Sequence, residues 1–98
     1  MDDPINEALV LYSGKASRSW PHALPDAVLE RFGRERGSAL LDRIERVIQE
    51  LFDLKPDWGV HSLQTGTDWV LAKIAGTHPE LNQEGLWVLG WIYSFNSK

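Results

Sequence analysis

The three histidines, His22, His61 and His78, are the residues of this chain best suited to bind a metal or transfer a proton. They stand in separate turns, with no helical pairing and no acidic ligand at the spacing of a zinc motif. The chain contains no cysteine, which excludes a cysteine-ligated zinc site. The sequence therefore predicts loop or helix-capping roles for all three histidines, no metal site and no cofactor.

Serine and carboxylate side chains show no catalytic pattern either. A G-x-S-x-G turn is missing, and "SGKAS" lacks the earlier glycine of a phosphate-binding loop. The carboxylates of "DRIERVIQELFD" alternate with arginines at the three- and four-residue spacing of a solvated helix surface. A solvated carboxylate has little cause for the shifted pKa that catalysis needs. The prediction from these patterns is that the protein is not an enzyme.

Binding chemistry is better represented than catalytic chemistry. Trp20 and Trp58 both stand in proline-containing connections, "RSWPH" and "KPDWG", and tryptophan is enriched in binding hot spots. Arg34 and Arg36 belong to an arginine-rich stretch, and arginine is favoured at interfaces and in bidentate contacts with anions. We therefore predict these four as partner-binding residues. The alternatives are tryptophans that fold onto the core as lids and arginines that form a solvated surface.

Composition limits the classes of partner. The 98 residues predict one domain, 1–98, and the formal charge of −4 opposes binding to nucleic acid or to an anionic membrane. The N-terminal segment is acidic where a signal peptide is basic. Together with the lack of cysteine, this favours a cytoplasmic protein.

Hydrophobic periodicity predicts five helices and an all-α fold. Proline at a first helical position and glycine after a last one mark several of the helix ends. In the fourth helix, Thr65 and Asp68 match the spacing of a capping box. The long third helix is the most clearly amphipathic, with Ser38 as its predicted N-cap. The predicted bounds are Pro4 (capped by Asp3) to Gly14, Pro25 to Phe32, Ser38 to Leu54, Ser62 or Thr65 to Gly76, and Asn82 to Phe95.

The last helix carries the uncharged run "GLWVLGWIYSF". Apolar residues cover nearly every side of it, which predicts a buried central helix, and the run is too short to span a membrane. A partly exposed interface is the second interpretation. Only Gly90 and Ser94 form a small or polar strip, which predicts the close approach of a neighbouring helix or, alternatively, the floor of a groove.

The sequence thus predicts a compact all-α bundle of about five helices around an apolar C-terminal helix. Its predicted function is that of a small acidic protein-binding module, such as a bacterial regulator or an immunity-type protein, whose acidity steers a basic partner. The alternative is a small-ligand-binding or catalytic helical domain, with a tryptophan-lined pocket and His61 or His78 at its rim. A homo-oligomeric structural protein is a third hypothesis.

Overall fold

The computed structural model describes residues 3–15, 21–57 and 59–96. In these ranges the chain forms five helices and no strand, which confirms the all-α bundle, with a radius of gyration of 13.3 Å. None of the helices in these ranges has the length and apolar character needed to cross a membrane. The helices are α1 (Ile5–Ser13), α2 (Pro25–Phe32), α3 (Arg34–Asp53), α4 (Leu63–Thr77) and α5 (Gln83–Asn96).

Helix α3 packs against each of the other four helices. Its buried residues Leu40, Ile44, Val47 and Leu51 follow a three- and four-residue spacing, so one side of the helix faces the core along its length. At 20 residues, α3 is about 30 Å long and can reach every partner. Helix α5 packs against α1, α3 and α4, whereas α2 packs against α1 and α3. The sequence predicts α5 as the central helix, but α3 is the helix that contacts all the others, and α2 does not pack against α5.

The junction between α2 and α3 explains the one large difference in helix bounds. Helix α2 has the predicted ends, but α3 begins at Arg34, four residues before the predicted N-cap Ser38. Gly33 adopts a φ of 87°, which glycine accepts without strain, and turns the chain directly into α3. Gly37 then lies against Leu29, since a β-carbon at position 37 would stand 2.9 Å from a Leu29 methyl carbon. Ser38 is an exposed residue inside the helix.

Side chains that precede α1 and α5 bind the first amide groups of these helices. Helix α1 begins at Ile5 with Pro4 as its N-cap, so the predicted cap Asp3 and first helical residue Pro4 are each one position too early. The Asp3 carboxylate still accepts a hydrogen bond of 2.9 Å from the Ile5 N–H. The Asn82 side chain accepts a hydrogen bond of 3.0 Å from the Gly85 N–H, which confirms Asn82 as the cap of α5. Both hydrogen bonds satisfy amide groups that have no partner inside the helix.

Helix α4 begins with a capping box, but a different one from the box predicted. Ser62 is the N-cap: its hydroxyl accepts from the Thr65 N–H, and the Thr65 hydroxyl accepts from the Ser62 N–H at 2.9 Å. The predicted pairing of Thr65 with Asp68 is therefore wrong. Gly76 lies inside the helix, which continues to Thr77 and ends with His78 as its C-cap.

Candidate functional site

A charged cluster joins α3 to the N-terminus of α1 and to the turn between α4 and α5. The Arg43 guanidinium donates two hydrogen bonds to the Asp3 carboxylate, Nη1 to Oδ1 at 3.0 Å and Nη2 to Oδ2 at 2.9 Å. Its Nη2 also lies 3.7 Å from the Glu80 carboxylate. His78 Nε2 is 2.6 Å from Glu50 Oε2, and His78 Nδ1 is 3.3 Å from Glu80 Oε2. The cluster therefore links distant parts of the chain through alternating charges.

The surroundings of these groups shift their pKa values. Burial lowers the pKa of His78, but the hydrogen bonds and charges of Glu50 and Glu80 outweigh burial, so the net shift is upward from 6.5. The hydrogen bond from Arg43 lowers the pKa of Asp3 below its usual value of 3.8. Each of these shifts favours the charged form of its group. Asp3 and Arg43 therefore form an ion pair at neutral pH, and His78 keeps its proton to a higher pH than an isolated histidine does.

A groove of about 250 Å³ lies beside the cluster. Its lining residues are Arg43, Arg46, Val47, Glu50, His78 and Glu80. The alternative hypothesis from the sequence required a histidine at the rim of a tryptophan-lined pocket. His78 does line this groove, but the other lining residues are charged or aliphatic. A carboxylate lies at each ring nitrogen of His78. The side chain is therefore better suited to link helices as a cation than to accept a proton from a substrate.

We expect the stability of the fold to decrease as the pH rises above about 6.5 because of His78. A histidine whose pKa is raised by folding stabilises the protein fully below its unfolded-state pKa, and that contribution is lost as the pH rises through the higher folded-state pKa. Since Glu50 is half exposed, the change should stay below about 1 kcal/mol. Urea unfolding across this pH range measures it.

The matched controls for this prediction are two single substitutions. His78→Gln should remove this pH dependence. His61→Gln should keep it, because the His61 Nδ1 lies 3.3 Å from a hydroxyl group, Thr65 Oγ1, and not from a carboxylate. An unchanged slope in His78→Gln would contradict the ion-pair assignment.

A second groove, of about 320 Å³, lies between α1, α3 and the C-terminal part of α5. Its aromatic residues are Tyr12 and Phe52, and His22 also lines it. Burial and the nearby charge of Glu45 raise the pKa of Tyr12. This groove thus combines a histidine with aromatic walls, and the described residues that line it include no tryptophan.

The outer side of α5 carries the most exposed aromatic residues of the described chain. Trp87 is 58% exposed and Phe95 is 42% exposed, while Trp91 between them is partly buried. These residues are four positions apart, so they follow one side of the helix. The pattern of apolar residues predicts burial on almost every side of this helix, and for Trp87 and Phe95 that prediction is wrong. The partial exposure agrees with the second interpretation of the run, and a role as an interface stays a prediction.

Lys15 lies against this aromatic side of α5. Its Nζ is 3.7 Å from the ring centroid of Trp87 and 4.6 Å from that of Trp91, so one ammonium group contacts two indole rings. Gly14 ends α1 with a φ of 74°, and the Lys15 N–H reaches back to the Val10 carbonyl at 3.2 Å. This Schellman-type turn fixes the backbone of Lys15 next to α5.

A groove of about 410 Å³ lies at the N-terminal end of the same side of α5. It is lined by Gln83, Glu84 and Trp87, all of them exposed. It brings together a carboxylate, a side-chain amide and an indole ring. A carboxylate and an aromatic face both attract cations, so the chemistry of this groove favours a positively charged group.

The opposite flank of α5 meets α4 at Gly90. A β-carbon at position 90 would stand 2.9 Å from a Leu71 methyl carbon and 3.8 Å from the Thr67 methyl carbon. The small residue therefore permits close packing, as the first interpretation of the Gly90 and Ser94 strip predicted. Ser94 is partly exposed and lines a shallow groove with residues of α4.

The structure describes two of the four partner-binding residues predicted from the sequence. Trp20 and Trp58 lie outside the described residues. Arg34 and Arg36 are exposed at the start of α3, and the Arg36 guanidinium is 5.8 Å from the Phe32 ring centroid. Their proposed role in binding stays a prediction.

Ion pairs divide the arginine-rich stretch that the sequence analysis noted. Arg31 pairs with Glu7 at 2.6 Å, and Arg43 pairs with Asp3. These two arginines hold α1 against α2 and α3, so the stretch does not act as one continuous basic patch. The sequence gave no signal for either pairing, because the partners are 24 and 40 positions apart.

Comparison with known proteins identifies no relative of this chain. No protein-family model, curated protein or solved structure matches it. Across residues 3–15, 21–57 and 59–96, no group of three or more histidine, aspartate or glutamate residues has an arrangement able to hold a metal ion. A functional proposal therefore rests on the geometry of the described surfaces.

Proposed function

We propose that this protein is a small acidic protein-binding module whose recognition surface is the outer side of α5. The observation that carries the proposal is the exposure of Trp87, at 58%, on a helix whose other sides are packed against α1, α3 and α4. A large exposed apolar side chain loses its contact with water when a partner covers it. Tryptophan is also among the residues most enriched in binding hot spots.

The rigidity of this surface supports the proposal. Val88, Leu89 and Ile92 on the other side of α5 are buried in the core, which fixes the helix in place. Trp87, Trp91 and Phe95 then present a helical row of aromatic groups to a partner. A preorganised surface loses little conformational entropy on binding.

Charge supports a basic partner. The chain carries a formal charge of −4, so a positively charged partner would be attracted and a negatively charged one repelled. A bacterial regulator or a cytoplasmic immunity-type protein that neutralises a basic toxin is the more specific role within this proposal, and size and charge motivate it. Trp20, Trp58, Arg34 and Arg36 stay candidate contributors to binding.

We expect Trp87→Ala to weaken binding of the partner at least about tenfold, because a central tryptophan is a typical hot-spot residue. The tagged protein serves as bait in lysate of its native host, and the retained partner is then purified for affinity measurement by titration calorimetry. The free energy of unfolding of Trp87→Ala should fall by less than about 2 kcal/mol, since the side chain is more than half exposed.

Val60→Ala is the matched control, because Val60 is 78% exposed and lies in the turn before α4 instead of on α5. Its affinity for the partner should equal that of the unaltered protein. If Trp87→Ala binds as tightly as Val60→Ala, the outer side of α5 is not the recognition surface.

A further inference from the structure

We propose that the outer side of α5 captures a cationic side chain of the partner, an arginine or a lysine that enters the groove between the Trp87 indole and the Glu84 carboxylate. This inference rests on the proposed function and adds the chemistry that the partner must present. The proposed ligand of this surface is a basic segment of a protein.

The groove supplies the groups that recognise such a side chain. The Glu84 carboxylate accepts hydrogen bonds from a guanidinium or ammonium group, and the Gln83 amide oxygen offers a further acceptor. The Trp87 ring supplies an aromatic face, which attracts a cation and also packs against the aliphatic stem of lysine or arginine. The groove is shallow and open to solvent, so a side chain from another protein can reach all three residues.

Lys15 shows that this aromatic pair already holds a cation within the chain. Its ammonium group contacts Trp87 and Trp91 at 3.7 and 4.6 Å from the ring centroids. Neither Lys15 nor Trp91 lines the groove with Glu84. The Lys15 ammonium repels a second cation at the Trp87 ring, so the Glu84 carboxylate supplies the attraction that offsets this like-charge contact.

Charge selects the occupant. An acidic side chain in the groove would face the Glu84 carboxylate, and the overall charge of −4 would oppose its approach. An uncharged side chain would pack against Trp87 but would leave Glu84 without an ion pair. A basic side chain forms an ion pair with Glu84 and also packs against Trp87.

The test is a titration of the ¹⁵N-labelled protein with a leucine–arginine–leucine peptide that has blocked termini. The matched peptide contains citrulline, which has the size of arginine but no charge. The indole N–H signal of Trp87, identified by its loss in Trp87→Phe, reports binding. We expect a saturable shift of this signal and an affinity at least about threefold weaker for the citrulline peptide.

Two charge-neutralising variants separate the groove from the general charge of the protein. Glu84→Gln should weaken binding of the arginine peptide at least about threefold. Glu35→Gln removes the same charge from an exposed position in the first turn of α3 and should leave the affinity unchanged. Equal affinities for the two peptides, equal losses in the two variants, or no shift of the Trp87 signal would each overturn the inference.

The outcome is distinguishable from a failure of the proposed function. If the peptide does not bind but the captured partner still requires Trp87, the partner uses other chemistry, and the cation inference is wrong while the binding module stands. If the partner binds Trp87→Ala as tightly as the unaltered protein, both proposals are wrong.

Discussion

Replacing Asn6 by aspartate is expected to lower the free energy of unfolding by about 3 kcal/mol at neutral pH. Asn6 is 3% exposed, and its Nδ2 donates to the backbone carbonyls of Asp3 and Glu80, both at 3.1 Å. Its Oδ1 accepts from the Asn82 N–H at 3.0 Å. An ionised aspartate has the same shape but can only accept hydrogen bonds. Two carbonyl oxygens would then lose their donor and face a buried carboxylate.

Urea unfolding of Asn6→Asp and of the unaltered protein measures this loss. Burial raises the pKa of a new carboxyl at this position, so the difference in stability should shrink as the pH falls and the group becomes neutral. Gln64→Glu is the control, because it adds the same charge at an exposed position and should change stability by less than about 0.5 kcal/mol. Equal stabilities of the two variants would show that the Asn6 bridge does not hold α1 to the turn before α5.

The second large effect is expected for Gly85→Ala, which should destabilise the protein by about 2 kcal/mol. A β-carbon at position 85 would collide with the Asn6 Oδ1 atom, so alanine would push Asn6 out of its hydrogen bonds. This loss outweighs the gain of about 1 kcal/mol that alanine brings to a helix interior in place of glycine. The contact is therefore the reason that α5 has a glycine in its first turn.

Two other glycine substitutions give a graded comparison by thermal and urea unfolding. Gly76→Ala in α4 should raise stability by about 0.5 to 1 kcal/mol, because no atom lies within 4 Å of the new methyl group. The stability of Gly90→Ala should lie between those of the other two variants. The side chain that the new methyl group would meet is the flexible end of Leu71. If Gly85→Ala is as stable as Gly76→Ala, α1 and α5 do not make the close contact described at Gly85. In an Asn6→Ala background, Gly85→Ala should cost less, because the colliding atom is gone.

Helix bounds were predictable where a residue type restricts the backbone at both ends. Pro25 and Gly33 mark α2, and the structure places it between them. The start of α3 was missed because Gly33 both ends one helix and leads into the next, which leaves no loop between them. The six residues that follow Gly33 are charged, polar or small, so hydrophobic periodicity carries no signal until Leu40.

The long-range polar contacts had no signature in the sequence. His78 meets Glu50 from 28 positions away, and Arg43 meets Asp3 from 40 positions away. Each of these residues has an ordinary local pattern, typical of a turn, a helix surface or a helix cap. The contacts arise only when α3 docks against the N-terminal segment and the turn between α4 and α5, which is a property of the packed bundle.

The exposed side of α5 was missed for a related reason. A helix that is apolar on nearly every side is normally buried, but the amount of burial depends on how many helices surround it. The described chain supplies α1, α3 and α4 as neighbours, and Trp87 and Phe95 are left outside. The sequence shows that α5 is rich in aromatic residues, but it does not show which of them the neighbouring helices leave exposed.

The packing of α1 on α5 also affects how the domain is made. Asn6 of α1 binds the Glu80 carbonyl in the turn just before α5, 74 positions away along the chain. At the usual rates of translation, a ribosome needs about 4 to 15 s to synthesise the residues between them. During that time the apolar residues of α1 have no α5 to cover them, and chaperones can bind them. The bundle therefore completes its folding only after α5 has left the ribosome, and a nascent chain that stalls before α5 is a candidate for degradation.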